Sequence, residues 1–427
     1  MPSLITRRLG LLRDHDFRQL WVADLVSQLG SRTALLAVPF LAVVTLHAST
    51  FQASLLTAAG TAGSLLFGLH AGAWLDRVRA RPVLIVADLA RTALLLSIPA
   101  ASLLGALTLT QLYVVALASS VLTVFFNVGQ PAYLPRLVNY KDLVEGNTKL
   151  ATNASVAALA GAALGGFVIQ VLSAPVAIAV DAASYLLSAA GLGRIKAVEP
   201  VQRRSPGAAL HGEIGEGLRF VAGHPVLRAM ALSTALLVLF QGANSGIMIV
   251  FLVREVHLGA GVIGVLSTVG LLGALVAAAT TGRLAARLGE AGTMLVAAAA
   301  VGAGFLLYPL TAPGWALGWF VAANLLASFA IITANIVQTS CRQRLCPAGL
   351  QARASSIMTM VSWGMLPLGS LLGGALASVF GLRATLTVDG IGVALSILPL
   401  LLSPLRTMRA QNSGTDKQNQ ETSLGSH

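Results

Sequence analysis

Of 427 residues, 56% are hydrophobic and only 10% are charged, against roughly 45–50% and about 25% in soluble domains, so water is not the main solvent of this chain. Its apolar runs are long and do not alternate, which excludes a membrane β-barrel, and lipid cannot satisfy an open backbone, so the spanning elements must be helices. The formal net charge of +12 sits mostly in the segments between apolar runs, so it reads as a topology signal and not as a nucleic-acid-binding face.

In chain order, Arg7, Arg8, Arg13 and Arg18 precede an apolar run of full spanning length, which predicts a retained first helix and no cleavable signal peptide. A span needs about 20 apolar residues. Twelve are predicted, at 18–46, 51–75, 82–104, 109–134, 148–172, 175–194, 227–253, 260–282, 291–311, 314–340, 354–379 and 383–404. They divide the chain into an N-terminal six-helix bundle (1–194), a linker (195–226), a C-terminal six-helix bundle (227–406) and a polar, disordered tail (407–427). The linker turns polar and includes RRSPG at 203–207, and EIGEGLRFV at 213–221 puts Ile214, Leu218 and Val221 on one stripe, the pattern of a short amphipathic helix at the membrane surface; the linker is expected to be a tether between the bundles, with a regulatory role as the alternative.

An even number of spans puts both termini on one side. With that side taken as the cytoplasm, every Lys and Arg falls in a cytoplasmic segment except Arg32, Arg91, Arg254 and Arg383, as the positive-inside rule requires of a multi-pass protein of the cytoplasmic membrane. Cys341 and Cys346, both in the predicted loop after span 10, have no His beside them and are expected to be reduced bystanders, with no metal site.

The chain also repeats itself. Shifted by 210, Arg18, Gly60, Gly63, Gly72 and Arg77 fall on Arg228, Gly270, Gly273, Gly282 and Arg287; shifted by 208, Asn127, Gln130, Arg136, Gly161, Gly166 and Asp181 fall on Asn335, Gln338, Arg344, Gly369, Gly374 and Asp389. The polar coincidences carry the argument, because Ala, Leu and Gly match by chance in so apolar a chain. Duplicated helical bundles of this kind build transporters, with a solute site where the halves meet.

GAWLDRVRARP at 72–82 resembles the cytoplasmic loop motif of the major facilitator superfamily: Gly, three residues, Asp-Arg, then further basic residues. GRLAARLG at 282–289 is a degenerate second copy with Ala286 in place of Asp76. SQLG at 27–30, AYLPRLV at 132–138 and APVAIAVDAASYLLSA at 174–189 resemble the drug:proton antiporter branch that contains macrolide-efflux and enterobactin-export proteins. The resemblance implies an all-α fold of two pseudo-symmetric six-helix bundles. It also implies rocker-switch export of a hydrophobic or amphipathic small molecule, coupling to protons, and a cytoplasmic gate at Gly72, Asp76, Arg77 and Arg81. The chain departs from proton-driven drug exporters in two places: span 4 has no Arg before Arg136, and span 5 reads GAALGG at 161–166 with Ala162 at the usual proline position.

Ionisable groups inside a bilayer need a reason to be there. Asp181 and Asp389 are equivalent under the repeat and are expected to serve as scaffold in both halves. Asp88 and Arg91, three apart on span 3, can pair with each other or join the gate. Asp24, Gln28 and Arg32 draw a polar stripe over about 12 Å of helix, and their repeat equivalents are Thr234, Val238 and Gly242. A polar residue present in one half only is the better functional candidate, since an asymmetric ligand needs asymmetric contacts. The substrate cavity is therefore expected to use Asp24, Gln28 and Arg32 with Asn127, Gln241, Asn244, Asn324 and Trp363, and Asp24 is the candidate proton-coupling carboxylate. Arg32 is expected either to pair with Asp24 through water or to line the cavity.

Uptake of a nutrient, or translocation of a lipid or lysolipid, by the same fold is the competing reading, and a non-transporting receptor a further one. A membrane enzyme is not expected: the chain has no HExxH, no GK[ST] phosphate loop and no paired intramembrane His. No cofactor and no direct drive by ATP are expected. The expected partners are a small-molecule substrate, protons and the lipid bilayer, no nucleic acid, and the protein is expected to act as a monomer.

Overall fold

The computed structural model describes residues 10–75, 78–197, 210–346 and 350–404. RRSPG at 203–207, Asp76, Arg77 and the predicted tail lie outside them. The described helices are α1 (His15–Val44), α2 (Thr50–Leu75), α3 (Ala80–Leu103), α4 (Leu109–Leu137), α5 (Leu143–Val171), α6 (Ala174–Gly193), α7 (Leu210–Gly223), α8 (Pro225–Arg254), α9 (Ala260–Leu307), α10 (Leu317–Leu345), α11 (Gln351–Phe380), α12 (Leu382–Leu395) and α13 (Leu398–Leu401). No strand occurs among the described residues.

Apolar composition drives these helices, and local chemistry sets their ends. Asp14 caps α1 by accepting from the backbone N–H groups of Asp16 and Phe17, at 2.8 and 2.9 Å. Thr108 caps α4 by accepting from Gln111 N–H. The Asp16 carboxylate in turn accepts from the N–H groups of Lys196 and Ala197, tying the exit of α6 to the entrance of α1. Predicted spans 8 and 9 differ from expectation in one respect: they run on as a single helical stretch of 48 residues, α9, broken only at Gly289 with φ 70° and ψ 168°. Only a residue without Cβ adopts that positive φ cheaply, so the degenerate loop motif at 282–289 is helical up to its last glycine. Counting α2 and both parts of α9, and taking α12 with α13, each predicted span has a helix. Leu35, Val86, Phe167, Leu187 and Val265, on five different helices, are all more than half exposed, an apolar surface suited to lipid and not to water.

The chain forms two compact units. The first comprises Met1–Gly207, Ser245–Thr268 and Ser370–Val379; the second comprises Ala208–Asn244, Val269–Gly369 and Phe380–His427. This partition crosses the expected boundary near residue 227 because parts of α8, α9 and α11 belong with the N-terminal helices. Within the first unit, Ser54 Oγ donates to the carbonyl of Gly246 at 3.1 Å, Arg254 donates to the carbonyl of Ala48 at 2.6 Å, and Gln170 Oε1 accepts from Gly261 N–H at 2.8 Å. Gly166 on α5 and Gly264 on α9 pack backbone to backbone, so that a Cβ on either would lie 2.9 Å from the other's Cα. A Cβ on Gly374 of α11 would collide with Ser54 of α2. Under the sequence repeat Gly166 becomes Gly374 and Ser54 becomes Gly264, so these two crossings are copies of each other.

The same unit has a core of Phe17, Leu20, Leu84, Phe126, Tyr133, Leu134 and Leu192. In the second unit Met230, Met294, Val337, Met358 and Leu400 form the corresponding cluster, and Val221 of α7 is buried in it while Leu218 stays half exposed. The linker helix predicted at 213–221 is thus present and anchored by one end of its stripe.

Candidate functional site

Asp24 lies in the third turn of α1 and is 2% exposed. A buried carboxylate without partners is costly, and this one is surrounded by amides from three helices. Gln28 Nε2, one turn along α1, donates to both carboxylate oxygens at 2.9 Å. Gln130 Nε2 of α4 donates to Oδ1 at 2.5 Å, and Asn153 Nδ2 of α5 donates to Oδ2 at 2.8 Å. Asn153 also donates to the carbonyl of Trp21, which fixes its orientation. Asp24 is therefore the joint at which α1, α4 and α5 meet, and no cation shares it among the described residues. Gln130 carried a signal in the sequence, as one of the repeated polar residues; Asn153, whose repeat equivalent is Val361, carried none.

Arg32 does not reach this cluster. Its side chain is exposed, with no direct hydrogen bond or ion pair to Asp24. Two helical turns separate the groups, and Gly161 packs against the base of the Arg32 side chain.

Asp88 and Arg91 pair with each other at 0% and 2% exposure, inside the first unit. The Arg91 guanidinium lies between the rings of Phe126 and Tyr185, 4.6 and 4.0 Å from their centroids. The cation is thus enclosed by aromatic faces and paired internally, the first of the two arrangements open to it from sequence. Tyr185 continues outward to Ser31 through a 2.7 Å hydroxyl contact. Asp181 is 1% exposed beside Ser184, against the backbone of Gly30, where a Cβ would meet Asp181 Oδ1 at 2.6 Å. Its repeat equivalent Asp389 is 0% exposed, with neither carboxylate oxygen hydrogen-bonded.

Of the four gate residues expected from the loop motif, Arg81 is the one whose contacts are described. Its Nε donates to the carbonyl of Leu192 at 2.9 Å and its terminal nitrogen to that of Gly193 at 2.8 Å, capping the C-terminus of α6, where a cation is favoured. Gly72 lies within α2.

In the second unit the repeat equivalent of the Asp24 joint is a hydroxyl–amide contact: Thr234 Oγ1 of α8 donates to Gln338 Oε1 of α10 at 3.2 Å. Beside it opens a cavity of about 160 Å³ lined by Met230, Thr234, Asn335, Gln338, Thr339, Arg342, Met358, Thr359, Ser362 and Trp363. Trp363 is the member of the expected set that lines it. Asn127 is exposed, Gln241 is half-buried, Asn324 donates to the carbonyl of Phe320 on its own helix, and Asn244 is buried with its Nδ2 unpartnered. Cys341 and Cys346 are buried in the adjacent apolar cluster, unpaired, and burial pushes the Cys346 thiol up despite the Arg342 guanidinium nearby. No cluster of metal-binding side chains occurs among the described residues.

The family described as transmembrane secretion effectors matches residues 6–425. The multidrug efflux pump Tap of Mycolicibacterium fortuitum is 26% identical over 391 residues, covering 89% of this chain and 92% of that protein. Among solved structures, the nucleoside transporter NupG superposes with a TM-score of 0.75 at 12% identity, over 90% of this chain and 99% of NupG. A bacterial homologue of the iron transporter ferroportin in an inward-facing state follows with a TM-score of 0.68 at 17% identity, over 92% of this chain and 98% of that one. At these identities the structures establish the fold, that of major facilitator transporters.

Proposed function

We propose, from the premise that the chain belongs to the transmembrane secretion effector family of major facilitator transporters, that it exports a hydrophobic or amphipathic small molecule across the cytoplasmic membrane, driven by protons through Asp24. Membership makes it a membrane transporter and not an enzyme. Similarity to a multidrug efflux pump over most of both chains supports the direction and the breadth of substrate. The basic ends of the helices face the cytoplasm in this reading, and the two repeats alternate in opening to either side.

The observation that carries the coupling is the amide joint around Asp24. An ionised carboxylate only accepts hydrogen bonds, and all the amide groups that meet it are donors. Adding a proton turns one oxygen into an O–H donor, which then confronts an amide N–H, so at least one tie from α1 to α4 or α5 must break or its amide rotate. Bonds to a charged acceptor contribute about 1.5–3 kcal/mol each. Proton occupancy is thereby linked to whether three helices are held together, and helix contacts that switch between two arrangements are what alternating access requires.

Asp24→Asn in proteoliposomes tests this. Dye counterflow without a pH gradient should persist, showing a folded carrier, while the acceleration by an imposed proton gradient should vanish. Full retention of the gradient response in this variant sinks the coupling proposal. Accumulation of substrate in inverted vesicles, against none in right-side-out vesicles, separates export from uptake or lipid translocation.

A further inference from the structure

Several residues that line the cavity of the second unit depart from their equivalents in the first repeat. Shifted back by 208 or 210, its lining residues Met230, Arg342 and Met358 correspond to Leu20, Leu134 and Leu150. In the first unit Leu20 and Leu134 are each 1% exposed and pack in the apolar core with Leu150 against them. Around the shared amide Gln130/Gln338, the first repeat thus has a carboxylate, Asp24, beside buried leucines, and the second has a hydroxyl, Thr234, beside a guanidinium, Arg342. Thr339, Ser362 and Trp363 likewise replace Pro131, Ala154 and Ser155. Packing alone does not call for the charge, because the first repeat has a buried leucine at the position of Arg342.

Arg342 gives the cavity its chemistry. It lies in the last turn of α10, and no carboxylate accepts from it among the described residues. Arg344, two residues on, has both a repeat equivalent in Arg136 and an acidic partner in Glu290, so the end of this helix is served without Arg342. Thr234 occupies the carbonyl oxygen of Gln338, which leaves that amide's N–H groups as the donors it can offer, and Asn335 and Thr359 stand exposed on the lining. A permanently charged guanidinium with amide and hydroxyl donors around it matches a planar carboxylate or a phosphate. Trp363, 51% exposed, and Met358 supply apolar surface beside it. A volume of about 160 Å³ accommodates a small acidic group and not a whole drug-sized solute.

We propose that the cavity lined by Arg342, Gln338, Asn335 and Trp363 binds the carboxylate or phosphate group of an amphipathic anion, with Arg342 as its counter-cation. This rests on the reading of the protein as a small-molecule exporter and narrows its substrate class. The same chemistry is offered by a free solute and by an anionic lipid headgroup, and the experiment separates the two.

Octanoate, octyl phosphate and octyltrimethylammonium are titrated into the full-length protein in nanodiscs of neutral phosphatidylcholine, with binding read by calorimetry. Both anions should bind, and the cation should bind at least about tenfold more weakly. Arg342→Leu, which installs the residue of the first repeat, should lose at least about tenfold in affinity for both anions, and Arg342→Lys should retain more of it than the leucine variant. Nanodiscs rich in phosphatidylglycerol should weaken anion binding to the wild type alone if lipid headgroups occupy the cavity, and leave it unchanged if only solutes do. Equal anion binding by the wild type and Arg342→Leu, or a wild type that prefers the cation, overturns the proposal. Arg342-dependent anion binding by a protein that moves no solute in vesicles leaves the site standing and removes the exporter reading. Loss of anion binding in a protein that still exports cationic dye does the reverse.

Discussion

Arg91 shows how a membrane interior accommodates a full charge. Its guanidinium is closed in by Phe126 and Tyr185 and neutralised by Asp88. Removing one partner of a buried pair costs more than the pair itself contributes, about 3–5 kcal/mol, because the survivor has no water to retreat to. Arg91→Met should therefore lower the thermal midpoint in detergent sharply, and the double variant Asp88→Asn/Arg91→Met should recover most of the loss. Equal midpoints for the single and double variants contradict the pairing. Transport per folded molecule should be preserved in the double variant, since neither residue lines the described cavity. The spacing of three between Asp88 and Arg91 made the pair readable in sequence. The aromatic enclosure was not, because Phe126 and Tyr185 come from other helices and look like ordinary apolar residues. For the same reason the surroundings of Arg32 were not readable: helix geometry aims a side chain back along its own helix, but what it meets is set by neighbours that the sequence does not order.

At the scale of elements, the repeat was the part of the fold most legible beforehand, because glycines and amides recur at fixed offsets for reasons of packing. It located the helices, and it paired Gly166 with Gly374 before either had a contact. It did not say what those glycines pack against. The structure supplies that: backbone-to-backbone crossings of α5 with α9 and of α11 with α2. Gly264→Val would push branched carbons into the Ala162 carbonyl, 2.5 Å from the new Cβ, and into Gly166. If the crossing is made and broken during each cycle, the valine variant should fold with a near-normal thermal midpoint. Its dye counterflow should fall by about tenfold or more, equivalent to at least 1.4 kcal/mol on the limiting step. Gly264→Ala should lie between. Undiminished flux in the valine variant shows that this contact has no part in the cycle. The joint at Asp24 was half legible by the same logic. The repeat flagged Gln130 and exposed the asymmetry of Asp24 with Thr234, but it was silent on Asn153, which has no polar copy. The Arg342 cavity went unread because it is a difference between repeats in residues that, one at a time, are unremarkable helix-end and lining types.

For the whole molecule, charge and lipid together determine how the chain sits. By sequence, most Lys and Arg fall in the connections expected on one side, and the attraction of a Lys or Arg to an anionic leaflet is about 1 kcal/mol, so the expected orientation is the one that keeps this attraction. The connections between helices give an independent check. Tyr140, between α4 and α5, is 91% exposed, and Trp315, between α9 and α10, is 85% exposed. Cysteine at either position presents a thiol to whichever compartment that connection faces, whereas Cys341 and Cys346 at 6% and 4% exposure give little background. A membrane-impermeant maleimide applied to intact cells should label Trp315→Cys and spare Tyr140→Cys, and in inverted vesicles the pattern should exchange. Labelling of Tyr140→Cys from outside would invert the orientation. The Asp24 joint and the Arg342 cavity would then have to be assigned to uptake, with the gradient acting in the opposite sense.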